Sequence, residues 1–113
     1  MNYKDLLILR LSNLTEWKNE KEMIIPEEMR KDFRWATSCE FLGDGKYILR
    51  DYRENGNKRW EDEYQNGQLH GRSIDWKRDG NKLCEQEYNN GKLHRKVIDE
   101  SSCNTWVRRK ADR

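Results

Sequence analysis

Residues 51–74 and 75–98 are two copies of one 24-residue unit, and no other feature of the chain restricts its fold so strongly. Twelve of the 24 aligned pairs are identical, among them Gly56/Gly80, Lys58/Lys82, Glu61/Glu85, Glu63/Glu87, Tyr64/Tyr88, Asn66/Asn90, Gly67/Gly91 and His70/His94. A unit this short buries its apolar surface only by stacking on its neighbours, so the chain reads as an array. Each copy carries two turn signals: Asn55-Gly56 and Asn66-Gly67 in the first, Asp79-Gly80 and Asn90-Gly91 in the second. Such dipeptides suit type I′ hairpin turns, whose two central residues both need positive φ. A fifth, Asp44-Gly45, precedes them. The intervals predict a continuous antiparallel meander with strands near 37–43, 46–54, 57–65, 68–78, 81–89 and 92–99.

Two-residue turns fix register, so cross-strand partners follow by arithmetic. Tyr64 should face Leu69, Glu63 should meet His70 and Glu61 should meet Arg72. The second unit should pair Tyr88 with Leu93, Glu87 with His94 and Glu85 with Lys96. Asp79-Gly80 sets Trp76 against Leu83, and Asn55-Gly56 sets Arg50 against Glu61. One face then gathers Tyr47, Leu49, Trp60, Tyr64, Leu69, Cys84, Tyr88, Leu93 and Val97. The other alternates charges with Tyr52, Ile74, Trp76 and Ile98.

The run Trp60-Glu-Asp-Glu-Tyr64-Gln-Asn66-Gly67-Gln-Leu-His70-Gly71 resembles a MORN repeat: an aromatic, a glycine two residues later, a second aromatic, an Asn-Gly turn, then His-Gly, with Asp62 in place of the first glycine and Ser73 in place of a later one. Cys84 to His94 resembles a second unit, with Arg95 and Val97 where the family has glycines. The variant subclass of bacterial and giant-virus proteins is the nearer likeness, and it covers about residues 38–98. The resemblance implies a binding module, with protein contacts, membrane phospholipid contacts and antitoxin roles all known in the family. The fold expected is a single-layer antiparallel β-meander of MORN-like hairpin repeats, with residues 1–34 as a small α-helical N-terminal cap, 35–100 as the sheet and 101–113 as a basic tail.

Composition agrees with a thin fold. Only 34 % of residues are hydrophobic and 39 % are charged, yet five Trp, five Tyr and two Phe supply large rings for packing. That aromatic content separates the chain from disordered polyampholytes. The charge is +2 overall, and the tail alone carries +3 from Arg108, Arg109, Lys110 and Arg113 against Asp112. The body thus lacks the broad positive field of a nucleic-acid binder. In the N-terminal segment, Leu6–Leu11 fits either a buried strand or a short helix, and it is too short to span a bilayer. Pro26-Glu27-Glu28 opens a helix whose inward face is Met29, Phe33 and Trp35.

Chemistry-bearing residues mostly find a structural role in this register. His70 and His94 occupy equivalent positions one repeat apart, too far to share an ion, so no metal or other cofactor is expected. Cys39, Cys84 and Cys103 are odd in number and lack metal-ligand spacing, which suggests free thiols and a cytoplasmic location. The glutamates have basic or imidazole partners and read as a solvated charge ladder. No enzyme is expected. Tyr52 and Trp76 are either packed under the N-terminal helix or exposed as contact anchors. The expected function is protein binding through Tyr52, Glu61, Glu63, Arg72, Trp76, Glu85 and Glu87. A free-standing module of this size suits an antitoxin-like or virus-encoded inhibitor that masks its partner. The alternative is nucleic-acid or anionic-lipid binding through the basic tail.

Overall fold

The structure, a computed structural model, describes Lys18 and residues 21–99. Seven antiparallel strands lie side by side in chain order: β1 Glu22–Ile24, β2 Ser38–Gly43, β3 Lys46–Tyr52, β4 Lys58–Gln65, β5 Gln68–Trp76, β6 Lys82–Asn89 and β7 Lys92–Asp99. The architecture is a mainly β meander in one open sheet. Its first strand was not foreseen. β1 falls inside the segment assigned to the cap and pairs Met23 with Cys39 and Ile24 with Ser38.

Between β1 and β2 the chain makes a 3-10 helix, Glu27–Phe33, where an α-helix was expected. Pro26 stands at its N-cap and offers no side-chain hydrogen bond, and Met29 N–H closes on the Pro26 carbonyl at 2.9 Å. Without a capping oxygen a short helix gains little, and a tight i to i+3 turn suffices. Met29 and Phe33 are buried as expected, but Trp35 is 68 % exposed. Arg34 and Trp35 both adopt positive φ, 60° and 65°, which reverses the chain and sends Ala36 into the core in place of Trp35. The remainder of the expected α-helical cap, including Leu6–Leu11, lies outside the described residues.

The turns at the two ends of the sheet are of two kinds. Asp44-Gly45, Asn66-Gly67 and Asn90-Gly91 have positive φ at both residues, the type I′ geometry read from the sequence. At Asn55-Gly56 and Asp79-Gly80 only the glycine is positive. There the amide of Gly56 bonds the Arg53 carbonyl and that of Arg53 bonds the Asn57 carbonyl, a three-residue loop, and Gly80, Lys77 and Asn81 repeat the pattern. Asn55 and Asp79 each accept the amide two residues on through Oδ1, both at 2.9 Å. This local bond selects the wider loop over the type I′ turn.

The wider loops are followed by bulges that restore the expected register. Tyr52 pairs Lys58 and Trp76 pairs Lys82, so Arg59 and Leu83 are the extra residues. Trp76 therefore does not face Leu83. Beyond the bulge Arg50 does stand opposite Glu61.

β4 and β5 depart further from the arithmetic. Tyr64 faces Leu69, but the next pair is Asp62 with Ser73, so His70, Gly71 and Arg72 together oppose Glu63. Glu61 accordingly faces Ile74, not Arg72. The slip is two residues, and because strand side chains alternate with period two it leaves every face assignment intact. Gly71 makes it possible, with φ at 105° and a β-carbon position that would collide with the Glu63 carboxylate. That carboxylate accepts the Arg72 amide at 2.9 Å, replacing the carbonyl partner lost from the ladder. In the second unit Arg95 stands where Gly71 did, and the same slip is divided between two single irregularities. Glu87 then faces Arg95 and Gln86 faces Lys96, in place of the expected Glu87–His94 and Glu85–Lys96 pairs.

One face of the sheet holds the core. Met23, Ile25, Met29, Phe33, Ala36, Cys39, Tyr47, Leu49, Trp60 and Tyr64 form a single buried cluster, with Phe41 and Leu69 packed against it. Tyr47 and Tyr64 stack directly across β3 and β4, centroids 5.3 Å apart and planes within 3°. Cys84 and Tyr88 continue this face and are buried, whereas Leu93 and Val97 on β7 are 40 % and 45 % exposed. Cys84 is disulfide-bonded, correcting the expectation of three free thiols; Cys39 is free, and burial pushes its thiol well above the usual range. Cys103 lies outside the described residues.

Removing the Tyr64 ring should cost about 3 kcal/mol or more, since it is buried and stacked. Urea unfolding of Tyr64→Ala measures it. Gly71→Ala should lose about 1 kcal/mol or more through its backbone conformation and the Glu63 clash. A second substitution, Glu63→Ala, should recover part of that loss, and a double-mutant cycle gives the coupling.

Candidate functional site

The face opposite the core carries the charged residues singled out from the sequence. Its organising group is Arg50, supplied by β3 and set by register among acids from three strands. Its Nε donates to Glu61 at 2.8 Å, and its Nη1 reaches Glu40 at 2.9 Å and Glu22 at 3.5 Å. Glu22, only 3 % exposed, also accepts hydrogen bonds from Ser38 Oγ and, at 2.8 Å, from the Tyr52 hydroxyl. Lys58 adds a second cation to Glu61 at 2.9 Å. Five glutamate, arginine and lysine positions on β1 to β4 thus act as one network.

Its electrostatics follow from this crowding. Burial alone raises the Glu61 carboxyl, but hydrogen bonds from Lys58 and Arg50 outweigh it and hold the group below its ordinary 4.5. Burial would lower Arg50, yet the bonds to Glu61 and Glu40 win and keep it charged. For Tyr52 burial comes first and the bond to Glu22 second, and both push the phenol upward.

Of the seven expected contact residues, Tyr52, Glu61 and Glu85 are engaged inside the fold. Tyr52 holds Glu22 and lies under the Lys18 ammonium, 4.2 Å from the ring centroid. Glu85 is 7 % exposed and bonded to Lys82 at 2.6 Å, the same i, i+3 pair that Lys58 makes with Glu61 one repeat earlier. These glutamates are not a solvated ladder. Ile48 and Ile74 on the same face are buried as well. Glu63, Arg72, Trp76 and Glu87 remain nearer solvent. Glu87 pairs with Arg95 at 2.8 Å with both side chains about a third or more exposed, and Arg72 is exposed. Trp76 is half-buried beneath Lys58, whose Nζ lies 4.7 Å from its ring centroid. His70 does not meet Glu63; its Nδ1 accepts the Asn90 amide at 3.2 Å and links two neighbouring turns.

The sequence reading missed a polar row on the core face. Asp62, Ser73 and Gln86 are fully buried side by side on β4, β5 and β6, and Ser73 Oγ donates to Asp62 at 2.7 Å. The available signal was the substitution itself: Asp62 and Gln86 replace the small residue of the resembled pattern, between an aromatic or cysteine and a tyrosine. Among the described residues no group of three or more His, Cys, Asp or Glu is placed to hold a metal ion. No helix among them is long and apolar enough to cross a membrane.

No protein-family model, no curated protein and no solved structure matches the chain. The MORN likeness therefore rests on the residues quoted for it.

Arg50→Met should destabilise by about 3 kcal/mol, because it leaves three carboxylates facing one another in a poorly hydrated site. The lowered Glu61 carboxyl contributes stability above its ordinary value of 4.5, and that contribution drains as pH falls through the folded value. In Glu61→Gln the acid limb of the stability profile should be shallower, read by urea titrations between neutral and acid pH.

Proposed function

We propose that the chain is a non-enzymatic β-repeat module of MORN type that binds a protein partner through the outer face of β4 to β6. The observation that carries this reading is the held placement of Trp76 under Lys58, on the same outer face of β4 to β6 that carries Glu63, Arg72 and Glu87 further along the strands. The side chains of Trp76, Glu63 and Glu87 are each held by a cross-strand or backbone contact, so little of their freedom is lost when a partner docks. A half-buried tryptophan on a face of mixed charge has the composition of an interface anchor, and the charges along that face select partner and orientation. Tyr52, Glu61 and Glu85 support this surface from beneath. A masking role, as an antitoxin-like protein or inhibitor would have, is the form of binding this reading favours.

Trp76→Ala combined with Glu63→Lys and Glu87→Lys should abolish recovery of a stoichiometric partner in an affinity pull-down while circular dichroism still reports a folded sheet. Deletion of residues 107–113 should leave recovery intact. Loss of binding on tail deletion, with the face variant binding normally and a steep salt dependence, would instead support nucleic-acid or anionic-lipid binding by the tail.

A further inference from the structure

The wide-loop end of the sheet gathers arginines that the protein-binding reading does not use. Arg53, Glu54, Asn55, Arg59 and Arg78 line an open cavity of about 360 Å³ where the loop 53–57 meets the loop 77–81. Each guanidinium arrives by a different route. Arg53 ties the first loop to the end of β5, its Nη2 donating to the Trp76 carbonyl at 2.9 Å. Arg59 is the extra residue of the bulge that follows the first loop, and a bulge re-aims the side chain it adds. Arg78 belongs to the second loop itself. The 24-residue repeat does not reproduce this set, since the counterparts of Arg53, Arg59 and Arg78 are Lys77, Leu83 and Glu54. The cavity is a property of the junction between the two units.

Its donors are only partly used. Arg53 Nε is buried and has no hydrogen-bond partner, a state that buried charged donors seldom keep unless an acceptor joins them. Arg59 Nε stands 3.6 Å from Asp51 Oδ2, too long for a hydrogen bond, and the Arg59 side chain is 52 % exposed. Among the described residues Arg78 makes no ion pair. Asn55 Oδ1 accepts the Asn57 amide, so the remaining polar group of that side chain is a donor. Glu54 is the one acid of the lining, and three arginines less one glutamate leave a surplus of +2. A carboxylate brings one charge in one plane, which a single guanidinium fork satisfies. A phosphate monoester brings about −1.5 to −2 and three acceptor oxygens, which suits three guanidiniums that converge from separate elements.

We propose that this cavity binds a phosphate monoester, with Arg53, Arg59 and Arg78 donating to its oxygens. None of the lining side chains belongs to the surface proposed for protein binding, so the two sites are separable.

Inorganic phosphate and an otherwise uncharged pentapeptide carrying one phosphoserine are the probes, each titrated into the full chain at low salt and followed by amide NMR shifts. Shifts should concentrate on residues 53–59 and 77–79. Arg59→Ala and Arg78→Ala, both at exposed positions, should each weaken binding about tenfold, the scale of one charge-assisted hydrogen bond. Glu54→Gln should strengthen it about threefold by removing an exposed like charge. Tighter binding of the phosphopeptide than of inorganic phosphate would assign the site to a phosphorylated protein, and equal binding to a free phosphorylated small molecule. The proposal is overturned if the same peptide with glutamate for phosphoserine binds equally well, if binding ignores all three substitutions, or if millimolar probe gives no shift in the two loops. Partner capture through Trp76 is a separate readout, so a failed phosphate titration removes this inference alone and a failed pull-down leaves it standing.

Discussion

Five turns with glycine at positive φ set the register of β2 to β7, and register decides which side chains of a half-polar chain are buried. A single-residue slip along β4 would carry Trp60, Asp62 and Tyr64 to the charged face and Glu61 and Glu63 into the core. The sheet avoids this in two ways. Type I′ turns at one end close on two residues, with a one-residue bulge at Leu42 beside the first of them, and the wider loops at the other end are each followed by a bulge that restores the count. Where β5 slips, it slips by two, so parity survives. Gly71 permits that movement in one step, and Glu63 supplies the acceptor the ladder loses there.

The repeat is consequently conserved in topology and altered in chemistry between its two copies. Trp60 gives way to Cys84, Asp62 to Gln86 and Gly71 to Arg95 along structurally equivalent positions. The first unit packs rings against the apolar cluster under β1 to β4. The second buries smaller or polar groups, and Asp62, Ser73 and Gln86 occupy the transition between them. Burying such groups costs about 1–3 kcal/mol each unless hydrogen-bonded, and the Ser73 to Asp62 bond offsets part of it. Stability is thus concentrated at the N-terminal side of the sheet, and the exposed strand β7 lies furthest from it.

Much of this was legible in the sequence. The period, the turn dipeptides and the alternation of aromatics gave six of the seven strands, the stacked Tyr64 on the core face and the Arg50–Glu61 pair. What could not be read was anything decided between the repeats and the non-repeating segment. Glu22 and Glu40 reach Arg50 only because β1 and β2 extend the sheet, so Tyr52 and Glu61 looked like free contact residues when they hold the network together. β1 itself is three residues long and leaves no periodic trace. The pairs around His70 and His94 failed for a different reason: turn arithmetic assumes an uninterrupted ladder, and a bulge is set by local backbone demands.

Glu63 and Glu87 illustrate how one side chain at one repeat position can serve two ends. Beside Gly71 the carboxylate turns to the backbone and receives the Arg72 amide. Beside Arg95 no such approach is open, because the bulge is divided and a guanidinium occupies the space, so the carboxylate turns outward to pair with it. The first arrangement consumes the acid in holding β4 to β5. The second leaves it at the surface, and its cation belongs to the edge strand. A glycine in the interior of the array thus favours tight lateral joining, while an arginine at the same position of the terminal unit leaves a solvent-exposed carboxylate–guanidinium pair on β7. The asymmetry between the two copies is where the array stops being a repeat and becomes a surface.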